Sequence, residues 1–398
     1  MASCAATGDG VDFSFTPEEE SFRAELRRFL DDELPEWWRG MFVGDERAMP
    51  ETRRICALLA ERGWLTMAWP PEFGGVGASV WLQTIVREEM WAHEEPRGPQ
   101  YMNLNYIGPL IMRFGTTAQQ QRFLHPMARG EVIWCQGFSE PDAGSDLASL
   151  STRATSDGDR FVVNGQKVWT SYADAPADWC LLLVRTDPDA AKHRGISVLL
   201  VDMTTPGITV RPIHTMAGPH EFSEVFFDDV LVPRDCLLGE QDRGWDVVVE
   251  GLTFERAGIA RYARAGRIIE LLVDWARESG AAAEPDVRRK LAELRVRYEA
   301  ARLLNYRAIS LQHAGQVPST EASIARIHNG QLEQLVSQVG LELLGPTAQL
   351  DGGDRWAPLA GEIRRHWERN IPTTIAAGTL EVQKNVVAQR GLGLPRPS

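Results

Sequence analysis

Apolar residues at helical spacing occupy both ends of the chain, and short β-type runs occupy its middle. Near the N-terminus, Thr16-Pro17-Glu18-Glu19 combines an N-cap threonine, a proline at the first helical position and a glutamate three residues after the cap. This pattern predicts a helix that continues to about Leu30. Further helical patterns in the N-terminal part cover 51–62, 78–93, 104–115 and 117–129.

The pattern changes at about Glu131, where apolar runs become short and are separated by Gly, Pro, Asp and Thr. The runs that we interpret as strands are Val132–Phe138, Ser151–Ala154, Arg160–Trp169, Trp179–Val184, Ile196–Val201, Ile208–Ile213 and Glu224–Phe227. Closely spaced short strands of this kind predict a compact β-barrel or sandwich.

After Gly244 the pattern is helical again, over 246–278, 285–314, 319–344 and 380–390. Four helices of this length predict an antiparallel four-helix bundle. We therefore expect an α+β multi-domain protein with three parts. These are an N-terminal helical domain (1–130), a middle β domain (131–243) and a C-terminal helical bundle (244–398).

Composition and charge narrow the function classes. The chain has 398 residues, of which 43% are hydrophobic, and no apolar run approaches the roughly 18 residues of a membrane span. Its start lacks the pattern of a signal peptide, so we expect a cytoplasmic protein without a membrane span. The formal charge of −13 argues against nucleic acid as a partner. The five cysteines are scattered without metal-ligand spacing, so we expect neither a disulfide framework nor a metal site.

The middle region carries the clearest candidate chemistry. The loop Gly137–Asp146, GFSEPDAGSD, is dense in small residues and hydroxyls, so its N–H groups and serine oxygens can approach a phosphate. Further on, Asn164-Gly165 stands between two apolar runs and predicts the turn of a β-hairpin. This hairpin would bring Trp169, Thr170 and Ser171 to the neighbourhood of the loop.

In this order and spacing, the two motifs resemble those of the acyl-CoA dehydrogenase family, which reads Ser/Thr-Glu-x-x-Ala-Gly-Ser-Asp and then Asn-Gly-x-Lys-x-Trp-x-Thr/Ser. The resemblance covers nearly the whole chain and implies the same helical, β, helical architecture with FAD as cofactor. It implies α,β-dehydrogenation of an acyl thioester, either acyl-CoA or acyl-carrier-protein-bound, to the 2-enoyl thioester. It also implies an electron-transfer flavoprotein as electron acceptor.

The resemblance also implies individual cofactor contacts. Ser139 would face the pyrimidine edge of the flavin, together with the backbone of the preceding residue, and Ser145 would meet the pyrophosphate. Trp169 would cover the ring, and the Ser171 hydroxyl would approach flavin N5. The full set of implied cofactor-binding residues is Gln136, Phe138, Ser139, Gly144, Ser145, Trp169, Ser171, Arg277 and Thr379.

The predicted catalytic base departs from the commoner family pattern. Much of the family has a Glu-Gly-Thr triplet near the C-terminus, but the corresponding run here is Ala377-Gly378-Thr379, and alanine cannot accept a proton. A second arrangement within the family places the base on the first long helix of the C-terminal domain, where this chain has Glu255-Arg256. We therefore predict that Glu255 abstracts the α-proton while hydride passes to flavin N5. The backbone N–H of Ala377 would donate to the thioester oxygen.

By itself, the pair Glu255-Arg256 is more typical of a solvated ion pair on a helix than of a catalytic site. Its small and apolar neighbours, and the alanine at position 377, favour the catalytic interpretation. Phe254 and Arg256 would contact the substrate, and Gln100–Leu110 would line its acyl end.

Subunit contacts of the family are only partly kept. The pattern Arg-x-x-Phe-Gly, through which one subunit reaches its neighbour's flavin, is reduced to Arg277-Glu278-Ser279-Gly280, and Gln-x-x-Gly-Gly appears as Glu342-Leu343-Leu344-Gly345-Pro346. These changes fit either a homo-oligomer (dimer or tetramer) or a hetero-oligomer with a related chain. Two other functions stay open: a flavin monooxygenase or N-hydroxylase on the same fold, and one subunit of a heteromeric acyl-CoA dehydrogenase.

Overall fold

The computed structural model describes residues 13–40, 45–174, 177–218, 221–258 and 260–395, with only the backbone of 252–258. Along the chain, a helical part is followed by a β sheet and then by a second helical part, which confirms the predicted architecture. The N-terminal helices are α1 (Pro17–Glu33), α2 (Ala48–Glu61), α3 (Val80–Ala92), α4 (Gln100–Met102), α5 (Gly108–Phe114) and α6 (Thr117–Ala128). A π-helical turn, Asn103–Ile107, joins α4 to α5 without a break.

The first helix begins where its capping residues predict. The Thr16 hydroxyl accepts a hydrogen bond from the Glu19 N–H at 3.2 Å, and the Glu19 carboxylate accepts one from the Thr16 N–H at 2.9 Å. This capping box satisfies N–H groups that the first turn would otherwise leave unpaired. Further along, the indole N–H of Trp69 donates to the Leu104 carbonyl at 3.0 Å, which fixes the π-helical turn against the rest of the domain.

All described strands belong to one mixed sheet with the order β6-β7-β3-β2-β4-β5-β8, and β1 pairs with β4. The strands are β1 (Trp134–Gly137), β2 (Arg153–Asp157), β3 (Arg160–Ser171), β4 (Trp179–Arg185), β5 (Ile196–Asp202), β6 (Ile208–Ile213), β7 (Phe222–Pro233) and β8 (Leu237–Leu238). Strands β1 and β2 both pair with β4 in parallel, and the remaining pairs, including β4 with β5, are antiparallel. Each of the first seven overlaps a predicted run, although β2 lies further along the chain than predicted and β7 is much longer, and β8 is too short to leave a pattern.

The predicted hairpin turn at Asn164-Gly165 is wrong. Both residues lie inside the continuous strand β3, where the register against β7 shifts between Val163 and Gly165, as in a β-bulge. The Asn164 amide exchanges two hydrogen bonds of 2.9 Å with Asp229 on β7. A Cβ on Gly165 would lie 2.6 Å from the Thr152 hydroxyl, so the glycine is required by the close approach of Thr152, the residue just before β2.

The C-terminal part is a helical bundle. Its helices are α7 (Gly244–Gly258), α8 (Arg261–Glu278), α9 (Pro285–His313), α10 (Ser319–Leu344), α11 (Glu362–Asn370) and α12 (Leu380–Val386). Helices α8, α9 and α10 pack against one another, and α11 and α12 pack against α10. The single helix predicted over 246–278 is wrong, because α7 ends at Gly258, a poor helix former, and α8 begins at Arg261. Helix α11 was not predicted.

Buried contacts join the N-terminal helices to the bundle. The Glu88 carboxylate on α3 accepts hydrogen bonds from the hydroxyls of Tyr262 at 2.6 Å and Tyr306 at 2.8 Å. Its second oxygen pairs with Arg23 of α1 at 2.7 Å. This network ties α1 and α3 to α8 and α9. No helix within the described ranges is long and apolar enough to cross a membrane.

Candidate active site

The loop Gly137–Asp146 and strand β3 meet through direct hydrogen bonds. The Ser139 carbonyl accepts from the Val168 N–H at 2.9 Å. The Lys167 ammonium is buried and donates to the Phe138 carbonyl at 3.1 Å and to the Glu140 carboxylate at 2.8 Å. The loop and the strand that carries Trp169 therefore form one rigid unit, although no hairpin turn joins them.

Glu140 holds the loop against the sheet. Its carboxylate accepts from the N–H groups of Ser151 at 2.7 Å and Thr152 at 2.9 Å, in addition to Lys167. Burial opposes ionisation of this group, but the Lys167 charge and these hydrogen bonds outweigh burial and lower the pKa of Glu140 to about 2. The sequence interpretation missed the pair of Glu140 and Lys167, although both residues stand inside the two motifs.

Strand β3 presents Trp169 and Ser171 at its end. The Trp169 side chain is 59% exposed, and its only recorded ring neighbour within the described part of the chain is Phe222, edge to face at 6.0 Å. Its backbone has a φ of 60°, at a second register shift against β7 between Lys167 and Thr170. This irregular backbone turns a large aromatic face outward beside the half-buried Ser171.

The rest of the loop offers free donors. Ser139 is half-buried and Ser145 is exposed, and neither backbone N–H has a recorded acceptor among the described residues. At Gly144 an added Cβ would meet nothing within 4 Å, so this part of the loop is open. Gln136 is half-buried on β1, paired in register with Leu181 of β4. A flat ring beside Trp169 with hydrogen-bond acceptors toward Ser139 fits these residues, as a bound flavin requires.

Tyr106 connects this surface to helix α7. Its ring lies edge to face with Phe138, with centroids 6.2 Å apart. On its other side it packs so closely on Gly251 that a Cβ there would be 2.4 Å from Tyr106 Cε2. Gly251 lies one helical turn before residue 255 on α7, so the π-helical turn borders both the loop and the helix of the predicted base. The sequence placed 100–110 near the substrate but gave no signal for Tyr106.

Helix α7 carries the predicted base and its neighbours. The backbone places Phe254, Glu255 and Arg256 in its last turns, while their side chains lie outside the described residues. Helix α7 packs on the π-helical turn and on α10.

Ala377 lies in a bend that α10 and α12 hold in place. Arg326 of α10 donates to the Ala376 carbonyl at 2.6 Å, and the Gln383 amide of α12 lies 3.4 Å from the Ala377 carbonyl. Ala377 has a φ of 56°, an unfavourable conformation for a residue with a Cβ. Its N–H donates to no recorded acceptor among the described residues. Arg326 was not identified from the sequence, because a lone arginine on a helix gives no distinguishing pattern.

The remaining predicted residues lie apart from the loop. Thr379 caps α12, since its hydroxyl accepts from the Val382 N–H at 3.2 Å. Arg277 is exposed in the last turn of α8, where its one recorded side-chain partner among the described residues is Asp274 at 3.3 Å. Glu342 pairs with Lys290 at 2.5 Å on the surface of the bundle, and Lys290 also pairs with Asp286 at 2.9 Å. Among the described residues of one chain, Arg277 makes no hydrogen bond or ion pair with the loop Gly137–Asp146.

Comparison with known families covers nearly all of the chain. Residues 16–131 match the N-terminal domain of acyl-CoA dehydrogenase, 135–230 the middle domain and 242–392 the C-terminal domain. The chain is 35% identical to the acyl-CoA dehydrogenase FadE26 of Mycobacterium tuberculosis, over 96% of this chain and 98% of that protein.

Solved structures give the same result. The Tcur3481-Tcur3483 steroid ACAD is similar with a TM-score of 0.90 and 33% identity, over 97% of this chain and 100% of that one. The ChsE4-ChsE5 complex from Mycobacterium tuberculosis has a TM-score of 0.87 and 34% identity, again over 97% and 100%.

Proposed function

Since the chain belongs to the acyl-CoA dehydrogenase family, a family of flavin-dependent oxidoreductases, we propose that it converts an acyl thioester to its 2-enoyl thioester with FAD. The observation that carries this proposal is the Tyr106 contact, which connects the loop at Phe138 to helix α7 at Gly251. The candidate cofactor surface and the helix of the base thus border one site.

The loop and strand β3 would hold the cofactor in this proposal. Bound FAD would accept the β-hydrogen of the substrate. The cofactor would be held by Ser139, Ser145 and their backbone N–H groups, with Trp169 against the ring and Ser171 near its reactive edge. Thr379 and residues from a second subunit, including Arg277, would complete its site.

Glu255 removes the α-proton in our proposal. As the α-carbon loses its proton, negative charge develops on the thioester oxygen, and a fixed donor stabilises that charge in the transition state. The free N–H of Ala377 is such a donor, and the hydrogen bonds from Arg326 and Gln383 keep its bend in place. Phe254 and Arg256 would contact the substrate next to the base.

We propose that the enzyme works in an assembly. Two similar solved structures, the Tcur3481-Tcur3483 steroid ACAD and the ChsE4-ChsE5 complex, each name two chains, which supports pairing with a related chain as an alternative to a homo-oligomer. An electron-transfer flavoprotein would take up the electrons. The described cysteines are all free and buried, which fits the cytoplasmic location that we propose.

Anaerobic bleaching of the flavin absorbance by acyl-CoAs tests the reaction and its base. The panel should contain straight, branched and steroid-derived acyl groups, with carrier-protein thioesters as a second series. We expect Glu255→Gln to slow bleaching by about 10²–10⁴-fold, the usual contribution of a general base. Glu250→Gln, on the same helix but in a surface pair with Arg113, is the matched control and should bleach normally.

A second variant separates the base from simple damage to helix α7. If both family positions address the same α-carbon, Glu255→Gln combined with Ala377→Glu should recover part of the lost rate. Normal bleaching by Glu255→Gln would show that another group is the base. A fully loaded flavin that no thioester bleaches, but that consumes oxygen with reduced flavin, would favour the monooxygenase alternative instead.

A further inference from the structure

Arg87 on helix α3 differs from the charged residues beside it. Its neighbours Glu88 and Glu89 are buried and paired with Arg23, whereas no carboxylate pairs with Arg87 in the described part of the chain. The one recorded hydrogen bond of Arg87 runs from Nε to the Asn105 side-chain oxygen at 3.0 Å. Its terminal N–H groups, which are the best donors to an oxygen ligand, have no recorded protein acceptor.

The surroundings of Arg87 are desolvated but not closed. Burial, and then the charge of Arg97, lower the pKa of Arg87 to about 10, so the guanidinium is still charged at neutral pH. Arg97 itself is bound by both oxygens of Glu95, at 2.7 and 2.9 Å, which leaves that carboxylate engaged. Arg87 itself is only partly buried, so a ligand can still reach its terminal N–H groups. A charge without a counter-ion is costly in such a place unless a ligand pairs with it.

Asn105 fixes the direction of Arg87. The Asn105 amide donates to the Tyr101 carbonyl at 2.9 Å, so its oxygen must point at the guanidinium. Asn105 lies in the π-helical turn Asn103–Ile107, a rare element that often occurs at functional sites. The next residue, Tyr106, is the one that contacts both Phe138 and Gly251. Arg87 is thus anchored to the segment that borders the proposed reaction site.

We propose that Arg87, oriented by Asn105, binds an oxygen on the acyl group of the substrate, at a position remote from the thioester. The oxygen belongs either to a carboxylate or to a ketone, since both accept hydrogen bonds from the terminal N–H groups of a guanidinium. An acyl group without such an oxygen leaves these donors unpaired and is selected against. This inference rests on the proposed dehydrogenation and adds the class of acyl group that the enzyme prefers.

The test uses matched acyl-CoAs of equal chain length that end in a methyl group, a carboxylate or a ketone. Flavin reduction by wild type should show a higher kcat/KM for one oxygenated form than for the methyl form. Arg87→Met should lower kcat/KM for that form by at least ~100-fold, because the site is built to pair a polar group. The methyl form should be unaffected, and Arg87→Lys should restore part of the preference for a carboxylate. Arg113→Met, an exposed arginine, is the control.

A binding measurement tests recognition by Arg87 independently of the dehydrogenation reaction. Calorimetry with Glu255→Gln should show tighter binding of the oxygenated acyl-CoA, and this advantage should vanish when Arg87→Met is added. A preference for the methyl form in wild type, or an equal loss for all forms in Arg87→Met, would overturn the inference while the dehydrogenation stands. If no thioester binds or bleaches a fully loaded flavin, the proposed function itself fails.

Discussion

At the scale of single residues, the loop beside β3 depends on a buried ion pair. Lys167 is completely buried and Glu140 nearly so, and between them they bind the carbonyl of Phe138 and the N–H groups of the chain after the loop. Losing one partner would leave a buried charge, which is much worse than losing both. This pair holds the loop segment that carries Ser139 against the strand that carries Trp169.

Because of this pair, the stability of the folded protein depends on pH in the acidic range. The pKa of Glu140 is about 2 in the folded protein and 4.5 in its ordinary state, so its stabilising contribution is complete above pH 4.5 and is lost as pH falls toward 2. We expect the free energy of unfolding to fall by about 3 kcal/mol through this group alone as Glu140 becomes protonated. Urea denaturation at several pH values between 2 and 4.5 measures the free energy of unfolding, which should fall less steeply with falling pH in Glu140→Gln than in wild type. Asp142→Asn, in the exposed part of the same loop, should keep the wild-type dependence; an unchanged slope in Glu140→Gln would contradict the assignment.

At the scale of elements, strand β3 places the aromatic face through two irregularities. The bulge at Gly165 and the register shift before Thr170 together set the direction of Trp169. Since side chains alternate between the faces of a strand, a regular ladder would fix a different orientation. The strand is therefore both part of the sheet and the support of the site.

Gly165→Ala tests this role. Its Cβ would lie 2.6–2.8 Å from Thr152 atoms, so we expect about 1–3 kcal/mol of lost stability and weaker flavin binding. Chemical denaturation and flavin titration measure the two effects. Gly353→Ala, where a Cβ meets nothing within 4 Å, is the control and should change stability by less than about 0.5 kcal/mol. If Gly165→Ala is as stable as Gly353→Ala and binds flavin as well, the close contact at Gly165 is not needed to orient Trp169, and the prediction is wrong.

The sequence predicts much of the fold because local signals agree with it. Caps such as Thr16 mark helix starts, and short apolar runs bounded by turn residues mark seven of the described strands. The motif Asn164-Gly165 failed because pairing with Asp229 on another strand outweighs a local turn preference. Helix α11 was missed because its sequence, EIRRHWERN, has few apolar positions and is stabilised by packing on α10.

The candidate site is predictable only in part for the same reason. The family motifs indicate the loop, Trp169 and the helix of Glu255 from local sequence alone. Arg87 could not be recognised, because an arginine beside two glutamates on a helix reads as a solvated face. Only the fold shows that the glutamates are taken by Arg23 and that Arg87 is held by Asn105.

At the scale of the whole molecule, the bundle and the N-terminal helices form one body around the site. Glu88 joins α3 to Tyr262 and Tyr306, at the beginning of α8 and within α9. Burial, and then the negative charge of Glu88, raise the pKa of Tyr262 well above its ordinary value, so this hydroxyl remains a donor at neutral pH. The start of α8 is therefore anchored, while its far end carries Arg277 into solvent.

This arrangement gives a prediction about assembly. If Arg277 serves the cofactor of a neighbouring subunit, Arg277→Ala should weaken flavin retention only in the assembled protein. Sedimentation velocity recorded at the flavin absorbance, with and without a co-expressed related chain, should show wild type retaining flavin in a species of at least two chains. Arg267→Ala, an exposed arginine on the same helix paired with Glu270, should behave as wild type. The intersubunit role would be contradicted by a monomer that holds flavin equally well with and without Arg277. Arg277 does not contact the loop of its own chain, so it would then have no way to act on the cofactor.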